Sequence, residues 1–194
     1  LVYWSNFTLR RVNYDGSESR QITPTSILIS SFDISPLGNK IIFTADLELT
    51  GSGSTIGVID SDGSNLVYLE NGMRYSWAKF SPDVMKICFI ERMTNDIDYD
   101  VFVMNIDGTN KVNISTSPSF DGFPGWSPDG SKIHFSVLRD GEYYLYTANP
   151  DGTGLRQITK TAKKFPYFPT WSPDMTRLAI VDMKESTDIN DTIY

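Results

Sequence analysis

Short apolar runs, each broken after a few residues by Gly, Asp, Ser or Pro, are the dominant pattern along the chain. Their length and their richness in Ile, Val, Phe and Tyr predict β-strands, and no stretch sustains the period of a long amphipathic helix. The runs recur in register. Lys40-Ile41-Ile42-Phe43, Lys86-Ile87-Cys88-Phe89, Lys132-Ile133-His134-Phe135 and Arg177-Leu178-Ala179-Ile180 form one set. Ile56 to Ile59, Val101 to Met104 and Tyr143 to Thr147 form a second, with Phe7 to Val12 as a more polar counterpart. A weaker third set ends Gln21-Ile22-Thr23, Val67-Tyr68-Leu69, Val112-Asn113-Ile114 and Gln157-Ile158-Thr159.

Two punctuation marks keep the same period. Ser-Pro stands at positions 35, 81, 127 and 172, spaced by 46, 46 and 45 residues, and Asp-Gly stands at 15, 62, 107 and 151. Proline presets the φ of a type I turn, Asp suits the next position, and Gly takes the left-handed one, so Ser-Pro-Asp-Gly predicts a tight hairpin. The complete form occurs once, at Ser127 to Gly130; positions 35, 81 and 172 open variants that lose the Asp or the Gly. Asp-Gly is itself a hairpin signal. Each unit therefore reads as four strands, A to D, with Ser-Pro between A and B and Asp-Gly between C and D.

Four-stranded antiparallel units at this spacing, too apolar for a single exposed sheet, imply sheets stacked face to face around an axis, an all-β propeller. The stretch Phe123-Pro124-Gly125-Trp126-Ser127-Pro128-Asp129-Gly130-Ser131-Lys132-Ile133, followed by Arg139-Asp140-Gly141, Tyr146, Asn149 to Thr153 and Gln157-Ile158-Thr159, resembles the TolB-like, or WD-like, propeller repeat. The resemblance covers essentially the whole chain as a single domain over residues 1–194, loosest in the first unit, where Ile34 stands in the place of Trp126 and Trp171. It implies a periplasmic or cell-surface setting in bacteria and docking of partner proteins. The blade count stays open between a closed four-bladed ring and part of a larger propeller, and an open arc would favour a homo-oligomer.

Composition narrows the function classes. Seventeen basic against 24 acidic residues give a formal charge of −7, which disfavours nucleic acid. No apolar run reaches membrane-spanning length, and the first ten residues lack the basic and apolar regions of a signal peptide. The single cysteine, Cys88, excludes an intrachain disulfide and a multi-cysteine zinc site.

Catalytic chemistry finds little footing. His134 is the sole histidine and shares its column with Ile42, Cys88 and Ala179, which predicts a buried position for it and for Cys88. No nucleophile elbow, phosphate loop or metalloprotease motif occurs. Asp60-Ser61-Asp62-Gly63 matches the hairpin column rather than a calcium loop. The expectation is no catalytic residue, no metal and no cofactor.

Recognition features gather instead on one predicted rim. The loops between strands B and C carry Asp46 and Glu48, then Asp96, Asp98 and Asp100, then Asp140 and Glu142, then Asp182, Glu185 and Asp188. The loops entering strand A carry Met73, Arg74, Tyr75 and Trp77, then Phe120, Asp121 and Phe123, then Lys164, Phe165, Tyr167 and Phe168. Trp77, Phe123 and Phe168 share a column that serves either the packing between blades or the channel; Tyr75, Asp121 and Tyr167 are expected at the surface. Trp126 and Trp171 are expected to pack. Sequons at Asn6, Asn113 and Asn190 would be glycosylated only in a eukaryotic secretory setting. The expected function is a non-catalytic scaffold that captures a protein segment at an acidic, aromatic-lined channel mouth, through Arg74, Tyr75, Trp77, Asp98, Asp121, Phe123, Asp140, Tyr167 and Phe168. The alternatives are an accessory or gating propeller of a larger hydrolase and a glycan-binding propeller.

Overall fold

A computed structural model describes residues 1–47, 53–71, 74–93, 98–115, 120–159 and 167–181. These residues form five antiparallel sheets and no helix. The first sheet joins β1 (Val2–Ser5), β2 (Thr8–Arg11) and β3 (Arg20–Gln21). The second joins β4 (Ile27–Ile34), β5 (Lys40–Leu47), β6 (Ser54–Asp60) and β7 (Val67–Asn71). The third joins β8 (Tyr75–Phe80), β9 (Lys86–Arg92), β10 (Tyr99–Asn105) and β11 (Val112–Asn113). The fourth joins β12 (Asp121–Trp126), β13 (Ile133–Arg139), β14 (Glu142–Ala148) and β15 (Arg156–Gln157). The fifth pairs β16 (Tyr167–Trp171) with β17 (Leu178–Val181). Strand order follows chain order throughout, as blades of a propeller require.

Alternation along the strands is what stacks the sheets. Ile41, Phe43 and Ala45 face Leu9 and Ile22 of the first sheet, while Ile42 between them faces the third, against Phe80, Ile87 and Phe89. In β9 the same switch sends Cys88 to the opposite side, against Ile133, Phe135 and Val137 of the fourth sheet. Each blade is thus apolar on both faces. His134 and Cys88 are buried as their columns predict, at 4% and 0% exposure. Among the described residues no strand of the first sheet pairs with a strand of the fifth.

The turns explain the punctuation. In the Ser-Pro hairpins the amide of the fourth residue donates to the Ser carbonyl, and that residue is left-handed in each: Gly38, Val84, Gly130 and Met175. The Ser hydroxyls of 81, 127 and 172 are tied to the Asp two residues on. In the Asp-Gly hairpins Gly16, Gly63, Gly108 and Gly152 are left-handed, and each Asp accepts the backbone N–H of the second residue beyond it. Asp140-Gly141 makes a two-residue hairpin with both φ values positive. Asn6 and Phe7 make another, creating β1, a strand that the sequence pattern had not revealed.

Left-handed backbone strains a side chain with no compensating contact. Val84 packs against the core between the second and third sheets, whereas Met175 is 36% exposed. Met175→Gly is expected to raise stability by ~0.5–1 kcal/mol in urea unfolding; a fall in the midpoint would show that the thioether is held by packing after all. Of the sequons, Asn113 is occupied, its amide donating to Asp100 at 2.6 Å with Ser115 buried beside it; Asn190 lies outside the described residues.

Candidate functional site

The inner strands of the blades, β4, β8, β12 and β16, wall a cavity of about 650 Å³. Bulges in these strands shape it. Pairing slips between Ser76 and Lys79 in β8 and between Gly122 and Gly125 in β12. At each slip an aromatic residue takes a left-handed backbone, Trp77 with φ 57° and Phe123 with φ 55°. Bulky residues rarely adopt that conformation, and bulges characteristically re-aim a side chain. Here they turn both rings onto the cavity wall, where they meet edge to face at 5.4 Å between centroids.

Hydrogen bonds one repeat apart lock the inner strands together. Trp77 N–H donates to Ser31 Oγ at 3.1 Å, and Phe80 N–H donates to Asp33 at 3.0 Å. Lys79 Nζ pairs with the same carboxylate at 3.2 Å, and Trp126 Nε1 donates to the Lys79 carbonyl at 3.2 Å. The cavity therefore contains one mutually neutralised ion pair among indoles, Phe123 and the prolines Pro36, Pro82 and Pro128. A second cavity of about 240 Å³ adjoins it across Trp77 and Lys79, with Trp4 and Phe32 on its wall.

Several expected site residues fall elsewhere. Tyr75, expected at the surface, is 5% exposed in the core between sheets, its hydroxyl donating to Glu70 at 3.2 Å. Asp121 is fully buried. The physical reason is the bulge: residues ahead of it face the neighbouring blade, as Ile29 does in the same column at 1% exposure. Asp100 is likewise not a solvated rim residue but 4% exposed, opposite Glu91 across the strand pair. Burial, with Asp98 and Glu91 nearby, raises its carboxyl to about 6 against the hydrogen bond from Asn113. Arg74, Asp46, Asp140 and Glu142 are exposed, and Asp98 is half-buried. Phe120 is half-buried, stacked over Gly122 and in contact with Phe123. The side chains of Tyr167 and Phe168, and the whole of Glu48, Met73, Asp96, Lys164, Phe165, Asp182, Glu185 and Asp188, lie outside the described residues.

The cavity also runs the other way from the expected mouth. It follows the second half of the inner strands toward the Ser-Pro turns, and its wall includes Asp33, Lys79, Trp126 and Trp171, which sequence reasoning had assigned to packing or passed over. Their signal was present: all share columns on the strand leading into Ser-Pro. That end carries its own fixed negative charge. Asp83, Asp129 and Asp174 in the Ser-Pro turns join Asp62, Asp107 and Asp151 in the Asp-Gly turns. Hydrogen bonds from neighbouring hydroxyls and amides hold these carboxyls below the usual range, Asp129 at about 2.

Residues 3–192 match the model of the TolB beta propeller domain. A relative from Syntrophus aciditrophicus, the Tol-Pal system protein TolB, is 40% identical over 57 residues, which is 29% of this chain and 13% of that protein. The structure of TolB from Acinetobacter baumannii superposes with a TM-score of 0.73 at 20% identity, covering 93% of this chain and 44% of that one. An oligogalacturonate lyase from Vibrio parahaemolyticus superposes with a TM-score of 0.77 at 16% identity, covering 98% of this chain and 57% of that one. The chain thus spans well under two thirds of these proteins, and the same architecture carries both a Tol-Pal component and an enzyme.

Proposed function

Because the chain belongs to the TolB beta propeller domain family, we propose that it is a binding module whose inner channel takes an extended segment of a partner protein. The observation that carries this reading is the pair of bulges at Trp77 and Phe123. Both hold a large aromatic side chain in strained backbone at the wall of one cavity, and strain of this kind persists where a site requires it. Aromatic anchors in a pre-formed cleft bind with little ordering cost. Binding rather than catalysis is also supported by the two groups best suited to nucleophilic or base chemistry. Burial pushes the Cys88 thiol far up and the His134 imidazole down to about 4. A protein partner, in a periplasmic or cell-surface setting, is supported by the family and by a relative whose name places it in the Tol-Pal system. The acidic turns at the channel end favour a segment with basic flanks.

Displayed linear peptides selected on the chain test this. Selected peptides are expected to bind with roughly micromolar Kd, and Trp77→Ala or Phe123→Ala is expected to weaken them about tenfold or more. Tyr68→Ala, on the outer strand β7, is expected to change nothing. Peptide binding indifferent to both channel substitutions, or retention of glycans alone on an array, would overturn the proposal.

A further inference from the structure

The main-chain donors of β8 are already taken by the neighbouring blade. Tyr75, Trp77 and Phe80 N–H donate to Ser54 Oγ, Ser31 Oγ and Asp33 of the second sheet, at 2.6, 3.1 and 3.0 Å. Ser81 N–H, next along, donates to the Lys86 carbonyl within the pairing to β9. Successive amides of a strand point to opposite sides, so that of Phe80 belongs to the free edge, where an incoming strand would find it occupied. A ligand of the channel therefore binds at β8 through side chains and not by adding a strand.

Those side chains favour a particular chemistry. Trp77 and Phe123 are inclined at 66° with centroids 5.4 Å apart, so the two rings bound a wedge on the wall of the large cavity, and Trp126 lines the same wall. The polar pair beside them is unevenly used. Each Asp33 oxygen already accepts a bond, Oδ1 from Lys79 and Oδ2 from the Phe80 N–H. Lys79 Nζ gives one N–H to Asp33 at 3.2 Å, and its side chain is 39% exposed, which leaves further N–H groups for a ligand carbonyl. The wall thus offers ring faces and a donor, and it suits a segment that brings carbonyls and few N–H groups.

We propose that the segment taken by the channel is proline-rich and binds as a polyproline II helix. This rests on the channel-binding reading and names its ligand class. Proline brings a carbonyl for Lys79 and no N–H to be stranded, its ring packs on aromatic faces, and the polyproline II form is extended before binding. A segment of Val and Thr would instead bury its N–H groups against indoles. Basic residues flanking the prolines would meet the carboxylates of Asp83 and Asp129, in the Ser-Pro turns at the channel end.

The test follows the indole N–H signals of the four tryptophans in ¹⁵N-labelled protein, with that of Trp77 assigned from Trp77→Phe. Three blocked peptides of equal length and charge are titrated in: a run of prolines, a run of Val-Thr pairs and a run of Gly-Ser pairs, each between two lysines. The proline peptide is expected to move the Trp77 signal along a saturating curve, with a Kd about tenfold below that of either control. Phe123→Leu, which keeps apolar bulk but removes the ring face, is expected to weaken the proline peptide about tenfold; an unchanged Kd would overturn the ring-face assignment. Displayed peptides whose binding depends on Trp77 are expected to be enriched in proline. If they are not, or if the Val-Thr peptide binds as tightly as the proline peptide, the proline assignment falls and the channel reading stands. If no peptide, selected or synthetic, depends on Trp77, both fall.

Discussion

Replacing Gly57 by alanine is expected to cost the fold ~3 kcal/mol or more, at the upper end of what overpacking does in a closed core. Gly57 lies directly opposite Phe43 in the pairing of β6 with β5, and the Phe43 ring lies flat across it. An added Cβ would stand 2.7 Å from Cε2 and 2.9 Å from Cε1, closer than real contacts allow. Phe43 has nowhere to go: it is fully buried between the first and second sheets, against Leu9 and Ile41. Urea unfolding of Gly57→Ala measures the cost, and Phe43→Leu in the same chain is expected to recover part of it by clearing the ring from the glycine. A loss under ~1 kcal/mol would mean that the ring is not seated as described.

Lys111→Met is the second large effect, expected to destabilise by ~2–4 kcal/mol. Lys111 stands over the rings of Phe102, Tyr75 and Phe89 at 5.1, 5.6 and 5.6 Å. Its ammonium pairs with Glu91 at 2.6 Å and Glu70 at 3.6 Å, thereby joining the third sheet to the second. Methionine keeps most of the apolar stem but strands Glu91, whose side chain is only 10% exposed and whose cross-strand neighbour is Asp100. The diagnostic is the double variant. Lys111→Met with Glu91→Gln is expected to recover more than half of the loss, because the damage comes from an uncompensated buried charge and not from lost packing. Equal stability of the single and double variants in urea would show that the ion pair contributes little.

The blade architecture was legible because proline and glycine report backbone geometry directly. Ser-Pro and Asp-Gly fixed the hairpins, and the apolar runs between them became β5, β6, β9, β10, β13 and β14 within a few residues. β1 escaped because its turn places Phe7 at positive φ, a position where phenylalanine gives no turn signal. The site was harder for a related reason. A strand pattern assigns faces by counting in twos, and the bulges at Trp77 and Phe123 reset the count in mid-strand. Tyr75 and Asp121, expected at the surface as residues of the loops entering strand A, instead begin β8 and β12 and pack between blades, as the apolar Ile29 in their column does. Trp126 packs on the core of the third and fourth sheets, as expected of it, and both Trp126 and Trp171 also border the channel.

The links between blades reach back a single repeat, from Trp77 to Ser31, from Lys79 to Asp33, and from Trp126 to Lys79. They are nonetheless chemically distinct at the two junctions they cross: a carboxylate waits for Lys79 between the second and third sheets, and a carbonyl for Trp126 between the third and fourth. The repeats are consequently keyed like the wards of a lock. Shuffling or excising one would preserve every hairpin yet set mismatched neighbours face to face, so the order of the modules, and not merely their number, is written into the seams.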